Sequence, residues 1–451
     1  MEPLDGGAPA PLLRFSYGLV GWKRQMSVYG VICPLAGMEQ MAQTQWVSML
    51  RKLGRRVEVH ALRLPDVDPQ ARAPKLAEEV LKNRPEALFV EGALGFNLPE
   101  FYQHPGIRQL PVAAFWYDDP FRTLSYWQGT PGYLETVRLP NVYHFVWDGC
   151  WREWLKTRHG IRSYPTHLAA DPDDFFPKPA PREFADRAVF IGTFPARAHL
   201  EKLENGLPSM ARTVLGGVKE AMANASYGRN PYEIFDEVLG AMPDKAAKAM
   251  EMMEDRQPEQ MLHLRAIVQM LGKREVRRRV AGEALKVMPL LLLCGNYEET
   301  HAGEAEIREL LGESSDRLRV VDTRRMADSG LVDLYAHGRI HLQATDPQSV
   351  AGGIPFRVFQ TTACRKPLLT DRKPELAECY EYERELLTFE SDKDFAGKLA
   401  RAAGDADQLD TVAEAGYRRF LREHTWRHRF EEVCRVLKTA VREPRPPLSA
   451  R

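Results

Sequence analysis

Two periodicities alternate along the chain. Short runs of apolar, β-branched and aromatic residues predict strands, and segments whose apolar residues recur every three or four positions predict helices. SVYGVICPL (Ser27 to Leu35) reads as a strand, and MEQMAQTQWVSMLRKLG after it as a helix that stops at Gly54. VEVHALRL (Val57 to Leu64) alternates as a strand does, PKLAEEVLKN is helical, and the strands EALFVEG, VAAFWYDDP and VYHFVWDGC follow. Strands alternating with helices predict a parallel sheet covered on both faces, with ligands beyond the carboxyl ends of its strands.

A Pro- and Asp-rich linker, Asp171 to Pro181, then leads into a new strand, Ala188 to Ile191. From about Leu200 to Lys286 the spacing is helical throughout. Strand runs resume at LLLLCGN (Leu290 to Asn296), LRVVDT, RIHLQAT and, after a short helix from Phe356 to Cys364, Pro367 to Thr370. The stretch DTVAEAGYRRFLREHTWRHRFEEVCRVLKTAV closes the pattern as a long amphipathic helical segment, with Trp426 and Phe430 as its anchors. The expected organisation is a lead-in over 1–26, an α/β domain over 27–176, and a second over 177–440 carrying a helical insertion at about 200–286. Residues 441–451 form a tail.

Composition narrows the function classes. Lys+Arg and Asp+Glu are equal at 62 each, so the formal charge is zero and no global basic surface is offered to nucleic acid. The six cysteines include no C-x-x-C pair, which argues against a zinc site or a disulfide framework and fits a cytoplasmic protein. MEPLDGGAPAPLL lacks the basic start and apolar core of a signal peptide, and nothing runs to about 18 consecutive apolar residues, so no transmembrane segment is expected.

Candidate chemistry collects at the predicted strand ends. Ser349 to Pro355 is a glycine-bearing loop entering the Phe356 helix, and such an entry presents unpaired backbone N–H groups to a phosphate. Gly352 and Gly353 permit close backbone approach, and Arg357 adds a fixed positive charge. Gly192 and Thr193, with Arg197 four residues on, form a second turn placed to meet a diphosphate, and Gly295 and the Thr345 loop fall on the same rim. Acidic residues end the earlier strands: Glu91, the adjacent pair Asp118 and Asp119, and Asp148. A sugar hydroxyl needs a nearby carboxylate, and two adjacent ones exceed what a helix cap requires, so Asp118 and Asp119 are the catalytic candidates. His104 and His144 are alternative bases. Arg277 to Arg279 reads as a solvated helix face, and Met250, Met252 and Met253 as core filling.

FWYDDP, HLAADPDDFFP, FIGTF with Arg197, LYAHGRIHLQ, FRVFQTTACRKPLLTD and YRRFLREHTWRHRFEEV, taken in order, resemble the CgeB-like (spore maturation protein-like) bacterial glycosyltransferases of the GT-B class. The resemblance runs from about Tyr29 to Leu437. It implies two Rossmann-like, doubly wound domains facing a cleft, with the nucleotide sugar held by the second domain and the acceptor facing the first. It also implies that the final helix crosses back to the first domain. Arg357 would contact the donor diphosphate, and Gln360, with Thr361 beside it, would face the ribose or sugar hydroxyls. The family's usual Glu is Gln360 here, and the glycine that usually follows Cys364 is Arg365.

The expected activity is therefore transfer of a sugar from a nucleotide-diphosphate sugar to a hydroxyl on a protein, lipid or glycan. Asp171 and Asp173 form an Asp-x-Asp pattern but fall in the junction, so no metal or other cofactor is expected to be required. Resemblance to retaining relatives leans towards retention. The alternative is a non-catalytic nucleotide-sugar-binding or cell-envelope and spore-coat assembly protein on the same scaffold, and a nucleotide-sugar epimerase shares the fold class.

Overall fold

The computed structural model describes residues 28–35, 41–64, 67–92, 94–120, 131–225, 227, 229–295, 300–323, 330–344 and 352–442. The predicted lead-in, Asn296, the Thr345 loop through Ala351 and the end of the tail lie outside these residues.

Two six-stranded sheets organise the chain. The first contains β1 (Val28–Leu35), β2 (Arg56–Arg63), β3 (Ala87–Glu91), β4 (Val112–Trp116), β5 (Val142–Val146) and β6 (Ser163–Pro165), in the spatial order β2-β1-β3-β4-β5-β6. The second contains β7 (Ala188–Ile191), β8 (Leu290–Cys294), β9 (Leu318–Asp322), β10 (Ile340–Gln343), β11 (Leu368–Asp371) and β12 (Leu387–Phe389), in the order β12-β11-β10-β7-β8-β9. Every pairing is parallel. All five residues of β3, β4, β5 and β8 are buried, as strands covered on both faces must be. Strand order reverses between β1 and β3 in the first sheet and between β7 and β10 in the second. Such switch points leave a crevice beyond the strand ends, where ligands bind in open α/β sheets.

The predicted strands are recovered, and β6 and β12, at three residues each, are too short for a hydrophobic run to announce them. Between β7 and β8 lie five helices, from Arg197–Asn205 to the 30-residue Pro258–Val287. Met250 and Met253 are buried among them, whereas Met252 is exposed.

The final helical stretch is two helices, Ala406–Glu423 and Trp426–Arg442, because the chain breaks at His424 and Thr425. Thr425 there forms a parallel bridge with Ala170, so the backbone turns back to the first half. Trp426, Phe430, Val433 and Leu437 recur at helical spacing and are all buried. The Phe430 ring lies 5.5 Å from Phe89 of β3 and 6.4 Å from Phe115 of β4. Burying each such side chain stabilises by about 1.5–3 kcal/mol, so this helix covers one face of the first sheet as an integral part of its core. Arg429, also buried, donates to the carbonyls of His167 and Glu423 and fixes the crossing.

Candidate functional site

Aromatic side chains from the two halves of the chain meet just past β4. Tyr117, just past β4, meets Phe356 edge to face with centroids 6.2 Å apart, and Trp426 packs on both rings. Phe356 opens the Phe356–Ala363 helix, and Arg357 follows it on the first turn.

Arg357 is half-buried, and among the described residues no acid pairs with it. Its charge reaches Cys294 at the end of β8 and Tyr335. Arg277 acts on the same Cys294 thiol, which burial pushes up to about 12. The structure overturns the solvated reading of Arg277. It is 3% exposed and donates from Nη1 to the Thr193 carbonyl, while Arg278 pairs with Glu275 and Arg279 with Asp392. The sequence held the signal: Arg277, Val280, Ala281 and Ala284 share one helical face, and the last three are fully buried. Gly192 is required beside it, since a Cβ there would stand 2.9 Å from the Phe190 ring and 3.5 Å from the Arg277 guanidinium. Gly192, Thr193, Gly295, Arg277 and Arg357 thus gather where β7 and β8 end.

Arg197 stands elsewhere. Its guanidinium pairs with Glu309 at 2.8 Å, its amide donates to Glu306, and the side chain is half exposed.

Gln360 and Thr361 are buried, and Gln360 Oε1 accepts from the Tyr335 hydroxyl. Arg365 has φ +54°, the left-handed conformation that a helix end gives most readily to glycine, and its side chain pairs with Glu414 at 2.7 Å. A glycine at this position would meet the same backbone need without a side chain in the way.

The amides of Gly352 and Gly353 already have an anionic partner. Asp148, fully buried after β5, accepts from Gly352 at 3.1 Å and Gly353 at 2.9 Å through Oδ2, while Oδ1 caps the following helix at Cys150. Beside it, Glu375 Oε1 accepts from the Gly149 amide at 2.7 Å and from Arg152 at 3.2 Å. Glu375 lies so close over Gly352 that a Cβ there would collide with it at 2.1 Å. Burial raises the Glu375 carboxyl above its ordinary value.

The adjacent acids Asp118 and Asp119 face different ways. Asp118 is exposed, whereas Asp119 is 1% exposed and accepts a 2.7 Å hydrogen bond from the Tyr232 hydroxyl. Glu91 is 7% exposed, and its Oε2 has no hydrogen-bond partner. Burial, and then the charge of Asp118, push its carboxyl up to about 8. His144 is enclosed between Trp116 Nε1 and the Val137 carbonyl, and His104 accepts from the Gly106 amide in a turn. Asp171 and Asp173 both pair with Lys52 at 2.6 Å. Among the described residues no helix is long and apolar enough to cross a membrane.

Several solved structures share this architecture. A glycosyltransferase from Rickettsia africae superposes with a TM-score of 0.51 at 10% identity, covering 93% of this chain and 100% of that one. Anabaena HepE, in complex with UDP, gives 0.51 at 11% identity over 92% and 100%. Sucrose-phosphate synthase from Thermosynechococcus elongatus gives 0.50 at 12% identity over the same shares. The fold is GT-B. Within it, residues 256–435 match a glycosyl transferase-like family model, a segment that runs from the long helix bearing Arg277 into the final helix. No curated protein matches the chain.

Proposed function

We propose that this protein transfers a glycosyl group from a nucleotide-diphosphate sugar to a hydroxyl acceptor on a protein, lipid or glycan. The observation that carries the reading is Arg357: an unpaired guanidinium on the first turn of a helix, beyond the strand ends, within the segment that resembles glycosyl transferases. Arg357 faces the leaving diphosphate and, with Arg277 behind the Thr193 turn, offsets the charge that grows as the glycosidic bond breaks. Gly192 and Gly295 provide close backbone approach along that rim, Gln360 and Thr361 lie on the donor side, and Arg197, paired with Glu309, stands outside it. The first half presents the acceptor, and contact between the halves excludes water that would hydrolyse the donor. A UDP-containing donor is the first to test, since HepE was crystallised with UDP. Transfer independent of a metal ion is part of the proposal, because Lys52 holds the Asp171 and Asp173 carboxylates. The proposed subfamily is the CgeB-like one and the proposed setting the bacterial cytoplasm.

One observation favours the non-catalytic alternative: Gln360 replaces a Glu and is committed to Tyr335. Thermal unfolding against UDP, GDP, dTDP, ADP and CMP, with and without EDTA, decides between ligand and none. A nucleotide at 100 times its dissociation constant adds about 2.7 kcal/mol of stability. One diphosphate raising the midpoint, followed by turnover of its sugar, supports transfer. Binding without turnover of any sugar supports the alternative, and no shift at all removes both.

A further inference from the structure

The two halves of the chain exchange carboxylates where they meet. Asp148, just past β5 in the first half, accepts through Oδ2 from the amides of Gly352 at 3.1 Å and Gly353 at 2.9 Å in the second. Glu375, in the second half, accepts through Oε1 from the Gly149 amide at 2.7 Å and from Arg152 at 3.2 Å in the first. The two arms interlock. A Cβ on Gly149 would stand 2.4 Å from Glu375 Oε1, and one on Gly352 2.1 Å from the same side chain, so glycine at both places lets the clasp close. Yet the closed clasp leaves a group unsatisfied: Glu375 is 8% exposed, and its Oε2 has no hydrogen-bond partner among the described residues. A buried carboxylate oxygen without a donor costs free energy that solvent returns when the clasp opens.

We propose that Asp148 is a built-in competitor of the donor: its carboxylate occupies the amides that the donor's diphosphate needs, so the nucleotide binds there only when the clasp opens. This rests on the reading as a glycosyltransferase. The two amides belong to the loop that enters the Phe356 helix, and Arg357 follows Gly353 by four residues on its first turn. Backbone N–H groups ahead of a helix, with a cation beside them, suit a phosphate oxygen. Asp148 is fully buried in that place, and its bonds there are charge-assisted. A carboxylate and a diphosphate repel each other and cannot share the same two donors, so occupation is exclusive. The apparent nucleotide affinity is then lowered by the fraction of molecules whose clasp is closed. The side chain is also placed to let go. Its Oδ1 accepts from the Cys150 amide at 2.9 Å, a bond within the first half, so parting of the halves frees Oδ2 without uncapping the helix.

Asp148→Asn tests it, because asparagine caps a helix as well as aspartate does but carries no charge. UDP and inorganic pyrophosphate are titrated calorimetrically into wild type and variant, and the amide resonances of Gly352 and Gly353 are followed in protein labelled at glycine nitrogen. The variant should bind both probes about 10-fold tighter or more, as expected when the open clasp is the minor state of the wild type, and both amides should shift on binding. A clasp that only joins the halves leaves the affinity unchanged. That result, or weaker binding in the variant, overturns the proposal. Glu375→Gln loosens the other arm and should act in the same direction by a smaller factor; it decides the matter should Asp148→Asn not fold. Binding of UDP with both glycine amides unmoved overturns the competition and leaves the transferase reading in place. Pyrophosphate that shifts the amides of the variant alone, with UDP bound by neither protein, overturns the transferase reading and supports the competition for an anion.

Discussion

Asp148 reaches from the end of β5 to the amide of Gly353, 2.9 Å away, and joins the two halves of the chain. The loop whose amides invite an external phosphate is filled by the protein's own carboxylate. Asp148→Ala should leave two buried N–H groups without this partner and cost roughly 1.5–3 kcal/mol per charge-assisted bond lost. The check is the unfolding midpoint together with amide hydrogen exchange at Gly352 and Gly353, which should quicken in the variant.

Arg357 and Arg277 should respond differently to removal. Arg357→Ala, which breaks no ion pair, should leave the midpoint within about 0.5 kcal/mol of wild type while abolishing the stabilisation by UDP. Arg277→Ala empties a buried site and exposes the Thr193 carbonyl, so it should cost about 3 kcal/mol or more. Denaturant melts with and without UDP separate the two outcomes.

Arg365→Gly should stabilise the protein. The left-handed conformation costs a non-glycine residue about 1–2 kcal/mol, and the half-exposed pair with Glu414 returns at most about 1. After the entropy of a more flexible unfolded chain, a gain of a few tenths to about 1 kcal/mol remains. An unchanged donor affinity in the same variant would assign the position to helix termination alone.

Tyr232→Phe removes the hydroxyl that Asp119 accepts from. The variant should lose about 1–3 kcal/mol of stability with kcat unaltered at a temperature where it stays folded. A large fall in kcat without loss of stability would return Asp119 to the reaction.

Both sheets were legible because continuous apolar runs such as Leu290 to Cys294 and Val142 to Val146 have no other stable use in a chain of this pattern. The glycine turns at Gly192 and Gly352 were legible as places of close approach, but not what approaches them. Asp148 and Arg277 fill those places from 204 and 84 residues away along the chain, separations over which local pattern carries no information. Asp118 and Asp119 read as a pair because they adjoin in sequence, whereas a strand end turns adjacent side chains to opposite sides. Glu91 is two residues after Phe89 on one strand face, so its burial was implied by the alternation, yet its acidity argued for solvent.

The crossing of the final helix has a consequence for synthesis. Gln45 and Trp426, whose side chains are hydrogen-bonded, are 381 residues apart. At a translation rate of about 5–20 residues per second, the Phe89 and Phe115 face waits roughly 15–70 s for the helix that covers it. The growing chain therefore leaves the ribosome with an aromatic surface uncovered. A stop codon placed shortly before Trp426 should yield a product that chaperones retain and proteases clear, although both sheets have been translated in full.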